Sequence, residues 1–182
     1  MLKRLWFCFI LGSAALLGSC GERSRVTAPR QISFAEGKFS IEFPAGWRQN
    51  TAKNPYDIQY EAANGEMNTG IFYYYQEDLS AAFTAEGLLK KHVQDINGKR
   101  KNVASVEPLK LTKINGNAAA SRVIAAERGS SRYYYRFEVL DFTPAKKGAV
   151  VLLQVSMPSS WRQNGPILKK LSRTVKLADY TL

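Results

Sequence analysis

The stretch Phe39-Ser40-Ile41-Glu42-Phe43-Pro44-Ala45-Gly46-Trp47 decides how the folded part is read. Phe39, Ile41 and Phe43 alternate with Ser40 and Glu42, and Lys38 precedes them. A period of two is that of a strand with one buried face, and Pro44, which has no N–H to give a ladder, closes it. Working outward, Asp57 to Ala62 repeats the alternation through Ile58 and Tyr60. Asn64-Gly65 supplies residues suited to a tight hairpin turn. Thr69 to Gln76 reads as the return strand, carrying Ile71, Phe72 and Tyr73-Tyr74-Tyr75.

The period then changes. Phe83, Leu88, Leu89, Val93 and Ile96 fall at helical spacing. Ser80 or Thr84 can cap the start and Asn97-Gly98 stops the helix. Lys99, Arg100 and Lys101 follow, where positive charge suits the carboxyl end. Strand signals resume at Val106, Leu109 and Leu111, and Asn115-Gly116 marks another hairpin. Ala118 to Glu127 is its partner. Arg132 to Phe142 is a long strand with Tyr133, Tyr135, Phe137 and Val139 on one face. Ala149 to Ser156 is almost wholly apolar, as in a central strand covered on both faces. Gly165-Pro166 signals a last helix with proline at its first position and Ile167, Leu168, Leu171 and Val175 as its stripe. Strands, helix, hairpin-linked strands and helix predict an α+β fold, an antiparallel sheet covered by helices.

Upstream, Lys3 and Arg4 lead into an apolar run from Leu5 to Leu17, followed by Gly18, Ser19 and Cys20. These are the three parts of a secretory signal. The run is too short for a permanent span, which needs about 20 residues. Leu17-Gly18-Ser19-Cys20 resembles the lipobox of a bacterial lipoprotein. The resemblance implies cleavage after Ser19 and lipidation of Cys20 by palmitate-type chains, and so a membrane anchor. Residue 21 is Gly rather than Asp, which favours the outer membrane, facing the periplasm. Gly21 to Pro29 is polar and small and reads as a tether. The expected organisation is a signal peptide over 1–19, a tether over 20–29 and a single domain over 30–182.

Removing the first 19 of 182 residues leaves 163, enough for one sizeable core. Cys8 leaves with the leader and Cys20 carries lipid, so the mature domain has no thiol for a disulfide or a thiolate metal site. Lys3 and Arg4 leave as well. The mature chain keeps 24 of its 26 Lys and Arg against 15 Asp and Glu, a net +9. Outside the cytoplasm that charge points to anionic headgroups or an acidic protein or polymer, or to a solvated cationic surface without a partner, and not to nucleic acid.

Phe39 to Trp47, with its strand ending in Pro and the following Gly-Trp, resembles the opening signature of PsbP-like and DcrB-like domains. Met157-Pro158, Trp161, Pro166 and the helix through Leu171 and Val175 resemble the closing stretch. Together with strand order the likeness covers about residues 32 to 177. It implies an α/β/α sandwich around an antiparallel sheet. Relatives in this family are mostly non-catalytic. The photosynthetic ones dock onto photosystem II and assist its manganese and calcium sites, and a related nuclear transport factor binds a small GTPase. The resemblance implies a binding or assembly module without naming its partner.

Several constellations carry candidate chemistry. Pro44 to Asn50 and Pro158 to Asn164 share Pro-x-x-Trp-Arg-Gln-Asn. Trp47, Arg48, Trp161 and Arg162 are candidate partner contacts, since Trp and Arg are enriched at binding hot spots. The plainer reading has each Trp plugging the core below a strand end. Tyr73 to Tyr75 echo Tyr133 to Tyr135, and the middle ring faces opposite to its neighbours. Tyr134 and Arg136 share a face and are further candidates, with cross-strand packing of the rings as the plainer reading. Lys90, Lys91, Lys99, Arg100 and Lys101 are candidate contacts to an anionic surface, and Lys169, Lys170, Arg173 and Lys176 form a second basic cluster. His92, the one histidine, reads as solvated or at the core edge. Glu77-Asp78, read at the start of the first helix, is the tightest acidic pair and at most a weak calcium site. No nucleophile elbow or phosphate-binding glycine loop appears, and no metal or cofactor is expected. The sequence therefore favours a lipid-anchored, non-catalytic module that binds an envelope protein. A hydrolase of envelope polymer and a small-ligand or metal-binding lipoprotein are the alternatives.

Overall fold

The computed structural model describes residues 28–51 and 56–178. The expected lipobox with Cys20, and the expected tether up to residue 27, lie outside the described residues. The described residues form ten strands and two helices: β1 (Arg30–Phe34), β2 (Phe39–Phe43), β3 (Arg48–Gln49), β4 (Ile58–Glu61), β5 (Met67–Tyr74), α1 (Ala85–Asn97), β6 (Lys101–Ile114), β7 (Asn117–Arg128), β8 (Ser131–Asp141), β9 (Ala149–Ser156), α2 (Trp161–Ser172) and β10 (Lys176–Leu177).

β9 explains the layering. It is the middle strand of a seven-stranded sheet ordered β3-β4-β5-β9-β8-β7-β6, every pair antiparallel. Its apolar run is needed because both faces are covered. Val150 and Leu152 point into one core with Phe39, Ile41, Phe43, Leu171 and Val175. Ala149, Val151 and Leu153 point into the other with Leu88, Leu89 and Val93 of α1. Burying each large apolar side chain contributes about 1.5–3 kcal/mol.

The structure departs from the sequence reading in three places. The 39–43 strand is not in the main sheet. It is the centre of a second, three-stranded antiparallel sheet, β1-β2-β10, which shares one face of the main sheet with α2. Each strand carries one apolar face, and two such faces bury each other. Second, α2 begins at Trp161, so Pro166 stands in its interior and not at its first position. The start is set by a short 3₁₀ turn, Pro158–Ser160, whose own proline opens it and which runs directly into the helix. Third, Glu77 and Asp78 lie in a separate 3₁₀ turn before α1. The cap of α1 is Thr84, whose Oγ1 accepts from the Gly87 N–H at 3.0 Å.

Two local features shape the main sheet. Gly148 sits at φ +90°, and a Cβ there would fall 2.0 Å from the Tyr74 carbonyl oxygen. Only glycine allows the β8–β9 loop to lie this close to the end of β5. β6 is a long edge strand, broken by register shifts and carrying Pro108, Lys101, Lys110 and Lys113. Bulges, proline and lysine are how sheets blunt an exposed edge, which tolerates a Leu111 that is 63 % exposed.

Candidate functional site

α1 does not cover the whole of its sheet face. Beyond Ile96 the floor opens into a cleft of about 650 Å³. Tyr133 and Tyr135 of β8 and Leu153 and Val155 of β9 form the floor. Tyr56 makes a wall because β5 has a glycine beneath it: a Cβ on Gly70 would lie 2.3 Å from the Tyr56 Cδ1. The ring also packs on Phe72, with centroids 4.9 Å apart. A glycine inside a strand often marks such a close approach.

Arg100, on the link from α1 to β6, and Arg128, at the end of β7, reach the same cleft. Burial and the neighbouring Tyr135 push the Tyr56 phenol above its ordinary value, and both guanidiniums oppose that rise. Among the described residues neither arginine has a carboxylate partner. Arg100 Nη1 donates to the Lys99 carbonyl at 3.2 Å, while its buried Nε has no partner. Glu61 and Glu66 stand on the rim as well, and Glu61 Oε2 accepts from Asn50 Nδ2 at 3.2 Å. The arrangement can hold an anionic group against aromatic and aliphatic surface. Among the described residues no three His, Cys, Asp or Glu side chains gather as a metal-binding group.

His92 is inside, only 7 % exposed. Its Nε2 lies 2.9 Å from the Tyr74 hydroxyl and its ring 4.9 Å from that of Phe72. Burial holds its pKa below the ordinary value; Asp95 works against this and Lys91 adds to it. The imidazole is a packed, hydrogen-bonded part of the α1 interface and does not line the cleft.

The residues singled out in sequence scatter over the molecule. Trp47 and Trp161 do come together: both pack on Ala62, Met67 and Leu168 at one corner, on the face opposite the cleft. Trp47 also meets Phe43 at 5.5 Å, and Trp161 meets Tyr134 at the same distance. The shared heptad takes two conformations, a strand after Trp47 and a helix from Trp161. Arg48 and Arg162 are exposed beside this corner. Arg136 is a correction. Rather than meeting a partner, its guanidinium is buried under α2, bound to Glu138, Gln154 and Ser172. A paired and desolvated charge is not offered to a surface. The first basic cluster divides: Lys90 pairs with Glu86 at 2.7 Å, Lys91, Lys99 and Lys101 face solvent, and Arg100 turns into the cleft. Sequence reading missed Tyr56, Gly70 and Arg128. Gly70 inside a strand was the one available signal.

No protein-family model matches the sequence, and no curated protein matches it significantly. Solved structures do match in shape. The solution structure of cyanobacterial PsbP (CyanoP) from Synechocystis aligns over 88 % of this chain and 98 % of its own, with a TM-score of 0.61 and 14 % identity. The Ran-binding protein Mog1p of Saccharomyces cerevisiae aligns over 84 % and 97 %, at TM-score 0.58 and 10 % identity. A protein from Bacteroides thetaiotaomicron aligns over 86 % of this chain and 51 % of its own, at 0.51 and 10 %. The chain has a PsbP-like α+β fold: antiparallel sheets with two helices.

Proposed function

We propose that this chain is a lipid-anchored, non-catalytic binding module of the cell envelope, held at the outer membrane and facing the periplasm. In this reading its cleft beside α1 receives an acidic segment of an envelope protein. The observation that carries the reading is the pair Arg100 and Arg128, without carboxylate partners among the described residues and set over a tyrosine floor. Arginine and tyrosine are the residues that dominate protein-binding hot spots. The fold is used for protein binding elsewhere, as the Ran-binding Mog1p illustrates. Leu17-Gly18-Ser19-Cys20 supports the anchor, and the net charge of the mature chain supports an acidic partner.

The test is in-cell cross-linking from a photoreactive residue at Tyr133. A discrete envelope protein should be captured by the wild type and lost in Arg100→Glu/Arg128→Glu. Capture that is absent, or indifferent to both charge reversals, refutes the reading. Labelling with an alkyne fatty acid should mark the wild type and not Cys20→Ser. The cleft volume also favours a second reading, a small organic anion, because ligand pockets run from about 300 to 1,000 Å³. Such a ligand would raise the melting temperature of the purified protein, an effect a protein segment alone would not need.

A further inference from the structure

Below the other face of the main sheet, between β6 and α2, lies a hollow of about 390 Å³. Lys110, Lys113, Lys169 and Arg173 line it, with the Arg136–Glu138 pair in its floor. A second hollow of about 190 Å³ adjoins it, lined by Gln31, Ser40, Glu42, Thr174 and Lys176. Arg173 lines both, so they form one strip running from the sheet edge past the end of α2 to β10 and β1. Within the strip Lys169 is held by Glu107 at 3.1 Å and Glu138 is taken by Arg136. Lys110, Lys113, Arg173 and Lys176 have no carboxylate partner among the described residues, against the single unpaired carboxylate of Glu42.

The strip is also where the chain arrives from its amino end. β1 begins at Arg30, and Gln31 is already in the strip. From Cys20 to Ala28 a fully extended chain reaches at most about 28 Å. We propose that this α2-side strip lies on an anionic phospholipid bilayer, the lipid at Cys20 holding it there. The Arg100–Arg128 cleft, on the opposite face of the sheet, is thereby turned away from the membrane and toward the periplasm. The proposal rests on the lipid-anchored function proposed for the chain. It assigns the membrane contact to Lys110, Lys113, Arg173 and Lys176 rather than to Lys90, Lys91, Lys99 and Lys101, which lie on the α1 side.

The test uses residues 20–182 with Cys20→Ser, so that contact is measured without the acyl chain and acylation is judged separately by mass. The protein is floated with vesicles of equal phosphatidylglycerol and phosphatidylcholine, and with vesicles of phosphatidylcholine alone. Each cation near an anionic surface contributes about fivefold in partitioning. Lys110→Gln/Lys113→Gln/Arg173→Gln/Lys176→Gln should therefore weaken binding to the anionic vesicles by at least about a hundredfold while keeping the wild-type circular dichroism. All four positions are exposed, so folding should survive the change. The matched Lys90, Lys91, Lys99 and Lys101 glutamine variant should bind as the wild type does. Raising salt from about 0.1 M to about 1 M should abolish binding, because the screening length falls from about 10 Å to 3 Å. Equal binding to neutral vesicles, loss in the α1-side variant instead, or displacement by soluble glycerol phosphate would each overturn the proposal. Unacylated Cys20 together with intact charge-dependent floating would refute the anchor alone.

Discussion

Replacing Arg136 by methionine should unfold much of what α2 adds to the domain. The guanidinium donates through Nη2 to Glu138 Oε1 at 2.7 Å, and through Nη1 to Glu138 Oε2, to Gln154 Oε1 at 2.9 Å and to Ser172 Oγ at 3.2 Å. Gln154 in turn donates to the Leu168 carbonyl at 2.8 Å, which ties the cluster to α2. The side chains of Arg136 and Glu138 are 6 % and 2 % exposed. Methionine keeps most of the aliphatic stem and removes the charge, leaving Glu138 buried without a counter-ion. Breaking a buried pair from one side costs about 3–5 kcal/mol. For a domain of this size that is a fall in melting temperature of roughly 6–20 °C, at about 2–4 °C per kcal/mol. Arg136→Met/Glu138→Leu should recover at least half of the loss: it removes the stranded charge, Ser172 Oγ loses the same donor but keeps its own bond to the Leu168 carbonyl, and Gln154 Oε1 is left without a donor, at about 1–3 kcal/mol. Urea unfolding followed by the fluorescence of Trp47 and Trp161 reads both variants. A single variant within about 1 kcal/mol of wild type, or a double variant as weak as the single, would refute the desolvated-pair reasoning.

His92 gives a pH prediction. Burial lowers its folded pKa below the unfolded value of about 6.5, so between those two values the unfolded chain binds more protons and stability rises with pH. The contribution is complete above about pH 6.5 and is lost as pH falls through the folded value. As the one imidazole in the chain, it should titrate by NMR below 6.5, and His92→Gln should flatten the fall in urea midpoint between neutral and mildly acidic pH. A titration at or above the ordinary value would contradict the burial argument. At the cleft, Gly70→Ala should drive the Tyr56 ring off β5, since the new methyl would stand 2.3 Å from its Cδ1. Overpacking of this kind costs about 1–3 kcal/mol. An unchanged melting temperature would mean the ring yields freely and the wall of the cleft is soft.

Local periodicity was enough to place most of the elements. The alternation from Phe39 to Phe43, the helical spacing from Phe83 to Ile96 and the apolar run from Ala149 to Ser156 each name their element, because the period of a buried face is a property of a few adjacent residues. Asn115-Gly116 fixed the β6–β7 hairpin for the same reason. Which strands share a sheet is a different matter. The strand from Phe39 to Phe43 pairs with β1 and with β10, and β10 lies more than 130 residues away, a pairing that no local period records. The start of α2 was misread because Pro158 and Pro166 both carry the signal of a helix start, and only packing chooses between them.

The candidate site was less legible than the fold. Neither Arg136, within a strand, nor Arg100, after a helix, carries a sequence signal that says whether its charge is paired. The structure buries one against Glu138 and opens the other onto a tyrosine floor, because α2 covers Arg136 while Arg100 sits on the link past the end of α1. Tyr56, Gly70 and Arg128 come from three separate segments and meet only when β4, β5 and β7 are laid in one sheet. By itself the sequence determined the alternation of elements and the surplus of positive charge. Tertiary structure alone decided how that charge is divided between two faces of one sheet, since charges far apart in the chain share a surface only after strands from both ends of it have paired.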